Sequence, residues 1–107
     1  MQHRWLALVA FAALAAPALG VDTSVIERGR EIVTRDCSGC HAVGADGASP
    51  LPIAPHFRDL GRRYDLDFLA EALVEGIATA HAEMPRFTFE PSDAEAIIVY
   101  LKSIQSE

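Results

Sequence analysis

The chain has 107 residues, half of them hydrophobic, and carries 9 Lys+Arg against 15 Asp+Glu for a formal charge of −6. One small domain is the expectation at this length. The acidic balance makes the chain a poor candidate for nucleic-acid binding, which rests on cations facing phosphates, and suits instead a partner with a basic docking patch.

Residues 1–20 read apart from the rest. Arg4 is followed by an uncharged apolar run from Leu6 to Ala18 and by small residues around Ala16-Pro17-Ala18 and Leu19-Gly20. This order of charge, short apolar run and small residues predicts a secretory signal peptide cleaved near Gly20. The run is shorter than the roughly 20 residues a spanning helix needs, so stable membrane insertion after cleavage is not expected. Cleavage would remove one basic residue and no acidic one, moving the formal charge from −6 to −7. Residues 21–107 would then form the domain, and a core that small usually needs a disulfide, a metal or another buried group to complete it.

Three helices follow in chain order. The first is predicted to start at Ser24, where Ser24 and Glu27 make a capping-box pattern, with Val25, Gly29, Ile32 and Val33 on one face. The second is predicted from Asp65 or Asp67, with Leu66, Leu69, Leu73 and Ile77 on a shared face and Gly76 and Thr79 near its end. The third is predicted behind Pro91, where Ser92 and Glu95 repeat the capping pattern. Its buried stripe is Ala94, Ile97, Ile98, Leu101 and Ile104, with Tyr100 at the flank. Gly44–Pro55 and Ala80–Pro91 carry the prolines of the domain and are expected to be loops. No strand and no repeat is evident, so the fold class is all-α.

Cys37-Ser38-Gly39-Cys40-His41 is the strongest signal in the chain. C-x-x-C-H is the pattern of covalent haem c attachment. Cysteines three apart on a helical turn lie on one side, so their sulfurs can add to the two vinyl groups of one porphyrin, and His41 is brought under the ring as an iron ligand. Gly39 keeps the turn free of a side chain where the ring edge would pass. Four other readings compete. A disulfide would close only a tiny loop. A thioredoxin-like pair needs a βαβ setting. A structural zinc site would need Cys37, Cys40, His41 and one of His56 or His81. Two unconnected thiols would leave the adjacent histidine without a role.

Met84 is the single methionine outside the leader. Its thioether is soft and polarisable, suited to reduced iron, and Pro85 restrains the backbone beside it. Met84 is therefore the expected distal iron ligand, with His81 and His56 as competitors. The second ring nitrogen of His41 should donate to a carbonyl of the proline-rich loop, that of Pro55 or alternatively Pro52. Phe57, Leu66, Phe68, Phe87 and Phe89 are candidates for packing on the ring. The helical faces are small, so the porphyrin is expected to complete the core and the apo-chain to be poorly ordered.

These residues resemble class I, single-haem cytochromes c, in the short bacterial periplasmic form. The Cys37–His41 motif resembles the family's haem site, Gly29 its close-crossing residue, Tyr100-Leu101-Lys102 its last-helix motif, Met84-Pro85 its sixth-ligand loop, and Pro55-His56-Phe57 the segment whose proline carbonyl takes the proximal histidine's proton. Two features depart from it: Val33 stands where an aromatic often pairs with the glycine, and Lys102 is the only lysine. The resemblance implies helices wrapped around one covalently bound haem c. It also implies a monomeric carrier that passes single electrons in the periplasm between donor and acceptor proteins through transient docking. The competing functions are a ligand-binding haem protein and a dedicated haem subunit of a periplasmic dehydrogenase.

Overall fold

The computed structural model describes residues 3, 7–10, 22–76 and 83–106. The signal-peptide reading falls almost wholly outside them, as do Ile77, Thr79 and His81. Among the described residues there are three α-helices, α1 (Thr23–Asp36), α2 (Leu66–Glu75) and α3 (Pro91–Ile104), with a 3-10 helix at Phe57–Arg62 between the first two. No described residue is in a strand. No described helix is long and apolar enough to cross a membrane.

Two of the three helix starts differ from expectation. Asp22, not Ser24, caps α1: its carboxylate accepts from the Ser24 backbone N–H and from the Ser24 hydroxyl, both at 2.9 Å. A carboxylate is the stronger acceptor and also complements the positive end of the helix dipole. These two bonds hold the Asp22 carboxyl below the ordinary carboxylate range. α3 begins on Pro91 itself, behind Glu90, whose side chain makes no capping bond. Proline suits that first position because its missing N–H would find no partner within the helix. Ser92 therefore lies inside the first turn and the expected capping box is absent. α2 starts as anticipated, with Asp65 accepting from the Asp67 N–H at 2.9 Å. It stops at Gly76, whose φ of 101° lies where other residues are strained.

α1 and α3 cross at Gly29. A Cβ there would collide with the Ala96 carbonyl and sit 2.6 Å from the Tyr100 Cβ, so only glycine permits the approach. Ile32, Val33 and Leu101 are the largest fully buried side chains among the described residues, at 0, 0 and 1% exposure. Tyr100 is buried, not flanking: its hydroxyl donates to the Val43 carbonyl at 2.6 Å, and the Arg30 guanidinium lies 5.8 Å from its ring centre. Periodicity alone does not show this, because the partner carbonyl comes from a loop 57 residues away.

The 3-10 helix had no counterpart in the sequence reading. It is too short to show a period, and tertiary bonds hold it. The Gln105 carboxamide donates to the Phe57 and Leu101 carbonyls, both at 2.8 Å, and accepts from the Gly61 N–H at 2.7 Å. The Ser106 N–H adds a bond to the Arg58 carbonyl at 2.8 Å. The end of the chain thus clamps the segment that follows the proline-rich loop.

Candidate functional site

The Cys37–His41 segment continues from the end of α1. The Cys37 N–H still bonds to the Val33 carbonyl at 2.8 Å, and the Cys40 and His41 N–H groups turn back to the Cys37 carbonyl at 3.2 and 3.0 Å. The Ser38 hydroxyl donates to the Thr34 carbonyl and ties the turn to the helix. This compact turn sets Cys37, Gly39, Cys40 and His41 along one wall of a cleft. Beyond its two chain neighbours, no described atom lies within 4 Å of where a Gly39 Cβ would be, so the turn leaves that side open.

The second wall comes from the loop and the 3-10 helix, through Leu51, Ile53, Ala54, Pro55 and Phe57. The loop is folded onto the motif by the Leu51 N–H to the Cys40 carbonyl at 3.0 Å and the Phe57 N–H to the Ala42 carbonyl at 2.9 Å. Buried Ser49 fastens it from within, accepting from the Ala42 N–H at 3.0 Å and donating to the Ala54 carbonyl at 2.8 Å. Sequence reasoning passed over Ser49; a hydroxyl amid glycines and prolines was its only signal, through the tendency of Ser to bond nearby backbone. Glu83, Met84, Pro85 and Phe87 close the cleft from the segment preceding α3. The space between these walls is about 780 Å³ with open solvent at its mouth included.

His41 Nδ1 lies 2.8 Å from the carbonyl oxygen of Pro55. A carbonyl can only accept, so Nδ1 carries a proton, and in the neutral ring the lone pair is then on Nε2. The Phe57 ring packs 4.8 Å from the imidazole, tilted by 39°. Burial pushes the Cys37 thiol up to about 11, with the neighbouring Asp36 charge adding to the effect. Asp36 itself is held below the carboxylate range by Arg35, whose guanidinium donates to it at 3.0 and 2.9 Å. A thiol-exchange cysteine needs a lowered pKa, so the environment of Cys37 is the opposite of a redox pair's.

Cys37, Cys40, His41, Pro55, Phe57, Met84 and Phe87 all line this one cleft. Leu66, Phe68 and Phe89 are not among the residues that line it. Leu66 is buried in the core between helices, Phe68 is 73% exposed on α2, and Phe89 stacks on Phe87, ring centres 5.8 Å apart, at the edge of the core. His56 is turned aside, accepting at Nδ1 from the Arg58 guanidinium at 2.9 Å with Asp59 at 3.5 Å. His81 lies outside the described residues. Among the described residues no three His, Cys, Asp or Glu side chains gather as a metal-ligating set, so the zinc arrangement has no support.

The donor set fits a flat apolar macrocycle holding iron. Two cysteines, an imidazole held through Nδ1 and a methionine line the same cleft, and the rest of the lining is largely apolar.

The family profile described as Cytochrome c matches residues 26–105. The chain is 29% identical over 98 residues to "Cytochrome c-552" of Bradyrhizobium diazoefficiens, an alignment covering 92% of this chain and 89% of that protein. No solved structure matches the chain.

Proposed function

The chain belongs to the cytochrome c family as a class I, single-haem member, and from that premise we propose that it is a periplasmic electron carrier whose iron is held by His41 on one face and Met84 on the other. Family membership carries the covalent haem c and haem-based electron transfer; Cys37 and Cys40 fit its attachment pattern. The haem supplies a one-electron Fe(III)/Fe(II) couple.

The residues of the chain do the rest. Cys37 and Cys40 tether the ring edge to the end of α1. His41 offers Nε2 to the iron while the Pro55 carbonyl fixes the ring's rotation and raises its basicity. Met84 offers a neutral thioether, which favours the reduced state, and Pro85 limits its swing. Leu51, Ile53, Ala54, Phe57 and Phe87 exclude water and act in the same direction on the potential. Were His41 and Met84 both to hold the iron, no position on it would remain for a substrate. The leader-like residues 1–20 support export, and the acidic composition supports brief docking to basic redox proteins.

The observation that carries this reading is the His41–Pro55 contact, which presents an imidazole nitrogen beside two cysteines in a largely apolar cleft. Expression in a host able to mature such proteins, followed by an alkaline pyridine spectrum and an intact mass, tests it. Expected are a haem c spectrum and the mass of one haem added to a chain lacking residues 1–20. A colourless chain with two unmodified thiols would refute it.

A further inference from the structure

A second groove runs between α2 and α3 and shares no residue with the cleft. Ala70 and Val74 of α2 and Ala94, Ile98 and Val99 of α3 give it an apolar floor, and it holds about 910 Å³ with solvent at its mouth included. Its rim is acidic. Asp67 is matched by Lys102, whose Nζ lies 2.6 Å away across one end. Glu71 and Glu75 on one side and Glu95 on the other line the groove and have no ion-pair partner among the described residues.

Phe68 adds an independent signal. It stands one helical turn from Glu71 on α2 and is 73% exposed. A large exposed aromatic next to an apolar groove with a polar rim is the anatomy of a protein-docking surface. Charge selects the occupant. Nucleic acid and anionic lipid are repelled, and a second copy of this chain, with its formal charge of −6, would set carboxylate against carboxylate. A helix with an apolar stripe flanked by lysines or arginines satisfies both floor and rim.

We infer that the α2–α3 groove is a docking surface for a basic amphipathic helix of a partner protein, separate from the cleft. A partner seated there need touch none of the residues that line the cleft, so the domain can be held in place while its cleft stays accessible. The inference rests on the electron-carrier reading only in making that partner a redox protein.

The test uses the ¹⁵N-labelled, haem-loaded protein and a synthetic amphipathic peptide of leucine and lysine, titrated by NMR. Expected are amide shifts gathered on α2 and α3 around Phe68, Glu71, Glu95 and Val99. Glu71→Lys combined with Glu95→Lys should weaken affinity by about tenfold or more, and Phe68→Ala should weaken it in a way salt does not mimic. A leucine–glutamate peptide of the same design should not bind. Shifts gathered at the cleft mouth around Ile53 and Phe87, or a charge-reversed variant that binds as tightly, would overturn the inference. So would groove shifts that grow with protein concentration without peptide, which would assign the face to a second copy. The visible spectrum of each sample reports the haem site independently of the shift map.

Discussion

Ser49 and Ala54 are joined by a hydrogen bond of 2.8 Å from the serine hydroxyl to the alanine carbonyl, buried beneath the loop that delivers Pro55 to His41. The same hydroxyl takes the Ala42 N–H one residue past the histidine. Both strands of the loop are thus pinned by a single side chain, and the position of the Pro55 carbonyl depends on it.

Ser49→Ala leaves two buried backbone groups without a partner, at about 1–3 kcal/mol for each group that water cannot reach. The expected result is a holoprotein destabilised by about 2–6 kcal/mol in urea and a changed midpoint potential, because the His41 bond loosens. Unchanged stability and potential would show that the loop is held by other means.

Gly29→Ala tests the helix crossing. The Ala96 carbonyl is backbone and cannot rotate away, so α1 and α3 must separate. A loss of about 1–3 kcal/mol is expected, read by chemical denaturation, with the haem spectrum retained.

Gln105→Ala removes the carboxamide that joins the 3-10 helix to α3. Hydrogen bonds of this kind contribute about 0.5–1.5 kcal/mol each, and partial exposure lowers the sum. We expect about 1–2 kcal/mol of destabilisation, with faster amide exchange at Gly61.

Asp22 gives the stability a pH dependence. Its folded pKa is depressed by the Ser24 bonds, so its contribution is present above the unfolded carboxylate range and is lost as pH falls through the lower folded value. Asp22→Asn keeps an acceptor but not the charge. The difference in stability between the two proteins should therefore shrink on acidification through and below the carboxylate range, measured by denaturation at stepped pH.

The apolar faces of the helices were legible from spacing alone: Ile32, Val33, Leu73, Ile97, Ile98 and Leu101 are all buried. So was the chemistry of the motif, because Cys37, Cys40 and His41 are adjacent in sequence and one turn brings them together. What spacing could not show is what depends on distant partners. Asp22 outcompetes Ser24 as a cap through charge. Ser49 and Gln105 matter because of the carbonyls they meet. Nothing in the spacing of Phe68 shows that α2 turns it to solvent. Of two prolines offered for the His41 bond, the fold of the loop brings the Pro55 carbonyl to 2.8 Å.

The central claim is that the iron lies between His41 and Met84. Met84 is the only methionine apart from Met1, so methyl-¹³C-methionine labelling of the mature, reduced protein yields one signal. The account predicts a single methyl resonance shifted far upfield by the porphyrin ring current, and its loss in Met84→Ala together with newly acquired carbon monoxide binding. A methyl signal at the ordinary methionine position in the haem-loaded protein would contradict it.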